Sequence, residues 1–379
     1  MRRKRICIVA TLPVVLKIFM RDHVRSLSRF YDITLITSGD SEDVKELMFP
    51  NVNYISLDIP RRISIGRDVL CLFFLVRHLR LAAYDCIFTL MPKSGLIGML
   101  AGFMARTAVR VHIFTGQVWV TKSGLFRYFL KLLDKLLALS STHLLSDSHS
   151  QKQFLIDGGI TKESKIQVLG HGSISGVDTS RFTRIADARH LLREKLGIDE
   201  SALVFLFLGR VSREKGVLDL ARAFERLANE DATVHLLIIG PDDDDVDNEL
   251  RTILSGSDGR YHRQGFTDTP ELWMSASDIF CLPSYREGFG LAVVEAASVG
   301  LPAIVSRIYG LTDAVKDGVT GVFHLPGDVS GLYSCMKLLN GDPSFRLLLA
   351  QQARTRVADF FSQAYVTNEM TSYFQNILK

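Results

Sequence analysis

Short apolar runs alternate with longer amphipathic segments along nearly the whole chain, in two successive sets. An apolar run of five or six residues suits a strand buried on both faces. The segments between are long enough for helical crossovers, so each set predicts a parallel sheet covered by helices. In the first set strands are expected at 5–11, 33–37, 52–57, 86–90, 109–114, 143–146 and 165–169. In the second they are expected at 203–208, 234–239, 279–282, 303–305 and 322–324. Between the sets lies GHGSISGVDTSRF, starting at Gly170, rich in Gly and Ser and without periodicity, which reads as an interdomain linker. A chain of 379 residues fits two domains. They are expected at 1–172 and 173–358, with 359–379 forming a last helix that packs back toward the first domain. Two doubly wound halves in tandem place a ligand cleft between the carboxyl ends of their strands.

Several function classes fall away. At 47% hydrophobic and 23% charged residues the chain is too apolar for a disordered protein. The segment most like a membrane span, 86–105, is broken by Pro92 and Lys93. The opening MRRKRICIVATLPVV has basic residues before an apolar stretch but no small-residue cleavage site, and its apolar part reads as a buried first strand. Five scattered cysteines (Cys7, Cys71, Cys86, Cys281, Cys335), never as CxxC, read as reduced core residues of a cytoplasmic protein. No Walker loop is present and no GxGxxG follows the first strand, which weighs against a kinase, an ATPase or a dehydrogenase.

The net charge of +4 hides an asymmetry. Met1 to Gly170 holds 24 basic and 13 acidic residues, or +11, and the remainder holds 21 and 28, or −7. A basic half predicts an anionic surface or acceptor as its partner. It shows no nucleic-acid recognition module, so nucleic acid is not expected as a partner.

Two segments of the second half carry the chemistry. In PSYREGFGLAVVEAASVGLP, 283–302, a strand gives way to a glycine-containing turn and a helix begins near Gly290. Free amides at a helix N-terminus bind phosphate, and Gly288 and Gly290 allow a ligand close to the backbone. Glu287 and Glu295 bracket the turn and suit sugar hydroxyls, since a carboxylate accepts several hydrogen bonds. The plainer alternative is that Glu287 caps the helix and Glu295 lies on the surface. In LVFLFLGRVSREKGVLDLARAF, from Leu203, a strand is followed by Arg210, Arg213 and Lys215 and then a helix, as a diphosphate clamp requires. The run Asp242 to Asp245 reads as a solvated loop after a strand.

Together, GRVSREKG and REGFGLAVVE resemble the retaining glycosyltransferases of family 4, with their E-x7-E signature. The resemblance implies a GT-B fold, an α/β architecture of two Rossmann-like domains with a cleft between them. It implies a hexosyltransferase whose Arg210 and Lys215 bind the nucleotide diphosphate. It places Glu287 at the donor sugar, Glu295 on the ribose, and the amides of Phe289, Gly290 and Leu291, beside Gly288, on the phosphates. No metal or other cofactor is expected, because the two cations do a metal's work.

The first half resembles a narrower group, bacterial transferases that extend a sugar carried on undecaprenyl diphosphate in capsule, lipopolysaccharide or glycan assembly. VHIFTGQVWVTKSG from Val111 and GHGSISGVD from Gly170 carry this. The expected partners are a nucleotide-sugar donor, of the UDP-hexose or UDP-HexNAc kind, and a lipid-linked sugar acceptor. Many members of the wider family have a histidine beside the cleft after this strand. That place falls here to His112, as a catalytic candidate, or to Thr115 and Gly116.

Two helices bear on a membrane partner. The one over 123–140 carries Leu125, Phe126, Phe129, Leu133 and Leu136, with Arg127, Lys131 and Lys135 along one stripe. The one over 69–81 is flanked by Arg61, Arg62, Arg67, Arg77 and Arg80. They read as core helices with solvated edges or as docking elements for an anionic surface. The second option gives a peripheral protein on the inner face of the cytoplasmic membrane. The alternatives left open are an epimerase or soluble-acceptor transferase of the same fold, and a silent nucleotide-sugar-binding subunit.

Overall fold

The computed structural model describes residues 2–60 and 63–379, so Arg61 and Arg62 lie outside the described residues. The chain divides into two compact units, 1–176 with 363–379, and 177–362. Both boundaries fall a few residues beyond the expected ones.

The first unit is built on a seven-stranded parallel sheet in the order β3-β2-β1-β4-β5-β6-β7. Its strands are β1 Arg5–Val9, β2 Asp32–Thr37, β3 Val52–Ser56, β4 Cys86–Leu90, β5 Val109–Phe114, β6 His143–Ser146 and β7 Ile166–Gln167. Successive side chains of a strand point to opposite faces. Ile6 and Ile8 of β1 accordingly join one core cluster while Cys7 and Val9 join another on the far side of the sheet. β1 stops short of residue 11 because Pro13 opens helix α1, Pro13–Leu27. β7 is shorter than expected because Glu163–Lys165 forms a 3-10 turn ahead of it.

Helices α2 Ile65–Ala82, α3 Pro92–Met104 and α4 Gly124–Ser140 share the second core cluster and so cover one face of the sheet. α3 lies close to β4 and β5, since a side chain at Gly95 would collide with the His112 ring. The linker from Gly170 is held in place: Ser173 N–H donates to the Asp147 carbonyl at 2.6 Å, and His23 Nε2 meets the Ile174 carbonyl at 2.8 Å. The helix Gln363–Ile377 packs on α1, and Phe374 meets Phe88 edge-on at 5.4 Å.

α4 departs from the reading of a core helix with a polar outer edge. Asp134, Leu137, Ala138 and Ser140 are its buried residues, while Leu125, Phe126, Phe129 and Leu136 are exposed. Asp134 accepts a hydrogen bond from Trp119 Nε1 at 2.8 Å, and Arg127 and Lys131 lie over the Trp119 ring at 5.7 and 5.0 Å. Two of the three stripe cations therefore pack on an indole, and apolar side chains take the outer face.

The second unit has a six-stranded parallel sheet in the order β10-β9-β8-β11-β12-β13. These are β8 Leu203–Leu208, β9 Val234–Ile239, β10 Tyr261–Gln264, β11 Ile279–Leu282, β12 Ala303–Ser306 and β13 Gly321–His324. β10 was missed in sequence because YHRQ is an edge strand, half-exposed and polar. The five cysteines are free thiols, four buried and Cys335 half-buried.

Candidate functional site

In the second unit, β8 and β11 are neighbours, and both loops singled out in sequence leave their carboxyl ends. After β8 the chain runs through Arg210 into a 3-10 turn, Arg213–Lys215, and turns on Gly216 at φ 69° before the helix Val217–Ala228. A side chain at Gly216 would collide with the Pro283 carbonyl, so glycine lets the first loop lie against the second.

The two loops are fastened at several points. Tyr285 N–H donates to the Glu214 carbonyl at 2.9 Å, and Arg286 pairs with Glu214 at 2.9 Å. Lys215 Nζ donates to Glu287 Oε1 at 2.5 Å, and the fully buried Ser284 Oγ donates to the same oxygen at 2.8 Å. Glu287 thus does not cap the following helix. It is an ion-paired carboxylate with one oxygen engaged by a cation and a hydroxyl.

The helix Leu291–Val299 starts from Gly290, which stands at φ 90°. Phe289 is buried edge-on against Phe361 at 5.2 Å, so its ring serves the core. Glu295 sits one turn into the helix, and its carboxylate has no hydrogen-bond partner among the described residues. It keeps some solvent exposure, yet protein crowds it closely enough that desolvation pushes its carboxyl up to about 7; Arg181 opposes this shift and Glu271 adds to it.

The acidic run is a largely exposed loop after β9, as its sequence suggests, and it is also tied to the basic loop. Asp243 pairs with Arg210 at 2.8 Å, and Asp244 accepts the Arg213 N–H at 2.8 Å. Asp242 accepts the amides of Val246 and Asp247, both at 3.0 Å. The run braces the basic loop. Ser284 and Asp243 were missed in sequence. The available signals were a serine three residues before Glu287 and acids at the end of the strand beside the basic loop.

His112 is a correction. It belongs to the first unit, in the interior of β5, with its Nδ1 2.8 Å from Thr89 Oγ1 and its ring edge-on to Phe114 at 4.8 Å. It is buried, and desolvation pushes its imidazole down to about 3, so it is neutral through the physiological range. A substrate has no access to it. Thr115, past the strand end, is partly exposed.

A glycine-bordered cation loop and a helix N-terminus at adjacent strand ends of a parallel sheet form a candidate nucleotide-phosphate site on an α/β scaffold. Residues 188–356 match the family described as glycosyl transferases group 1, and residues 19–172 match the glycosyl transferase 4-like domain. The chain belongs to these GT-B glycosyltransferases, one family domain in each unit. It is 26% identical to the capsular polysaccharide biosynthesis glycosyltransferase CapM of Staphylococcus aureus, over 95% of this chain and 94% of the relative. It is also 26% identical, over 80% of this chain and 78% of the relative, to the Escherichia coli UDP-Gal:alpha-D-GlcNAc-diphosphoundecaprenol alpha-1,3-galactosyltransferase. Among solved structures, that of Anabaena HepE in complex with UDP and glucose superposes with a TM-score of 0.81 at 18% identity, covering 98% of this chain and 99% of that one.

Proposed function

We propose that the protein transfers a hexosyl unit from a UDP-sugar to a sugar carried on undecaprenyl diphosphate, with retention of anomeric configuration, at the inner face of the cytoplasmic membrane. The observation that carries this reading is the Lys215–Glu287 pair set between two braced phosphate loops. The relative that acts on a diphosphoundecaprenol-linked sugar supports the acceptor class, and the basic balance of the first half supports an anionic leaflet as a partner.

In this reading Arg210 and Lys215 bind the donor diphosphate, with the amides of Phe289, Gly290 and Leu291 on its oxygens. Bond breaking gives an oxocarbenium-like centre as negative charge builds on the departing diphosphate, and fixed cations there lower the barrier without a metal. Glu287, with Oε1 engaged, presents Oε2 to the donor sugar. Glu295 accepts from the ribose hydroxyls. The acceptor hydroxyl attacks from the face the diphosphate leaves, and the leaving phosphate takes its proton.

The test is nucleotide release from a panel of UDP- and GDP-sugars, with and without a membrane extract containing undecaprenyl-diphosphate sugars. Release from a UDP-sugar that requires the extract is expected. Equal release without it assigns a soluble acceptor or epimerisation, and release from GDP-sugars alone assigns another donor.

A further inference from the structure

α2, α3 and α4 form one layer, with α3 packed against both of the others. Large apolar side chains cover its outside: Leu125 is 88% exposed, Ile65 77%, Leu139 74% and Leu70 69%. Phe73, Phe103, Tyr128 and Leu132 are more than half exposed as well. Single exposed apolar residues are ordinary on a folded protein, but a concentration of them on three neighbouring helices marks a surface that something covers.

The charges on the layer select what covers it. Its only acidic residues are Asp68 and Asp134. Asp68 is paired with Lys93 at 2.8 Å and Asp134 is buried under Trp119. Arg67, Arg77, Arg80, Arg127 and Lys135 remain exposed around the apolar side chains. Of these, Arg67 has a carboxylate near it, Asp58 at 3.8 Å, and the other four have none among the described residues, so a second copy of this chain would bring like charges face to face. An anionic bilayer offers hydrocarbon to the apolar side chains and phosphate to the rim.

We infer that this layer is a membrane-insertion face: the outer side chains of α2 and α4 enter the boundary between lipid headgroups and acyl chains, and the basic residues engage phosphates at its edge. The inference deepens the lipid-linked acceptor reading, and its purpose rests on that reading. It differs from electrostatic docking in what carries the affinity. Charge-driven docking collapses when salt screens it, whereas burial of apolar side chains does not. No helix among the described residues is long and apolar enough to cross a membrane, so insertion stops at the interface.

The test is flotation of the full chain with phosphatidylcholine vesicles, and with vesicles that also contain phosphatidylglycerol, in ~0.15 M and ~1 M NaCl. Binding to both kinds is expected, tighter to the anionic one, with salt weakening the anionic case to the level of the neutral one and no further. The double variant Leu132→Asp, Leu139→Asp should lose about a hundredfold in partition to both kinds, from two lost apolar burials. Its melting temperature and UDP binding should stay unchanged, because both side chains are exposed. Loss of all binding at ~1 M NaCl, or a variant that binds like the parent, overturns the inference. A dimer in solution that the variant dissociates, with no vesicle binding by either, assigns the face to a second copy. The vesicles contain no sugar lipid, so a soluble acceptor found in the transfer assay overturns the acceptor reading and leaves this result standing.

Discussion

In the second unit the cations beside the phosphate loops are met by carboxylates: Arg210 by Asp243, Arg213 by Glu249, Lys215 by Glu287. On the α2–α3–α4 layer of the first unit only Arg67 among the exposed arginines has such a partner, Asp58 at 3.8 Å, and large apolar side chains stand outside. One unit fixes its charges in advance, as a site that stabilises a transition state must. The other leaves charge and apolar area uncompensated for a partner to satisfy. In the proposed reading the first arrangement serves the donor with fixed electrostatics, and the second serves the acceptor's environment with an adaptable surface.

The most severe way to break the preorganised half is Lys215→Ala. Turnover should fall about 100- to 1000-fold, the range for losing one fixed donor to developing charge, with a smaller change in donor KM. Single-turnover kinetics would check it, and wild-type turnover would remove Lys215 from the mechanism. Ser284→Ala sharpens the same point at lower cost. Losing one hydrogen bond to a carboxylate should reduce kcat by roughly tenfold to a hundredfold while UDP affinity holds. The loss should shrink in a Glu287→Gln background, because both changes act through one group.

Glu295 gives a pH test of intermediate size. With its carboxyl at about 7 against an ordinary 4.5, acidification below 7 protonates it and, in the proposed reading, removes the ribose acceptor, so donor KM should rise several-fold for each unit of pH lost. Glu295→Gln should flatten that profile. The folded form holds this proton more tightly than the unfolded chain does. The stabilisation it gives is therefore complete below about 4.5 and is lost as pH rises through about 7, which a series of melting curves would register. The smallest effect on catalysis is expected at His112. Its replacement by Ala should cost about 1–3 kcal/mol of stability, from a buried hydrogen bond and packing, and leave turnover per folded molecule unchanged.

The two sheets and the loops that follow β8 and β11 were legible in sequence because their signals are local. Apolar strands such as 203–208 and 234–239 read directly, and REGFG carries its turn and helix start in consecutive residues. β10 was not legible, because YHRQ gains its strand from pairing beside β9. The Asp243–Arg210 pair joins residues on different loops, so composition alone showed only an acidic run. His112 misled because a histidine near a strand end looks the same in sequence whether it faces solvent or the Gly95 stretch of a packed helix. On α4 the apolar spacing was visible, but which stripe faces the sheet is decided by Asp134 reaching Trp119.

The helix Gln363–Ile377 belongs to the first unit although the second unit intervenes in the chain. During vectorial synthesis the first sheet therefore emerges long before the helix that shields Phe88, and Phe374 reaches it only after the whole intervening unit has left the ribosome. The nascent first unit must wait with part of its core uncovered. Lys4 Nζ, which donates to the Lys379 carbonyl at 2.7 Å, records how late that closure comes. A fragment cut at 176 should consequently fold poorly alone, and recover when the 363–379 peptide is supplied in trans.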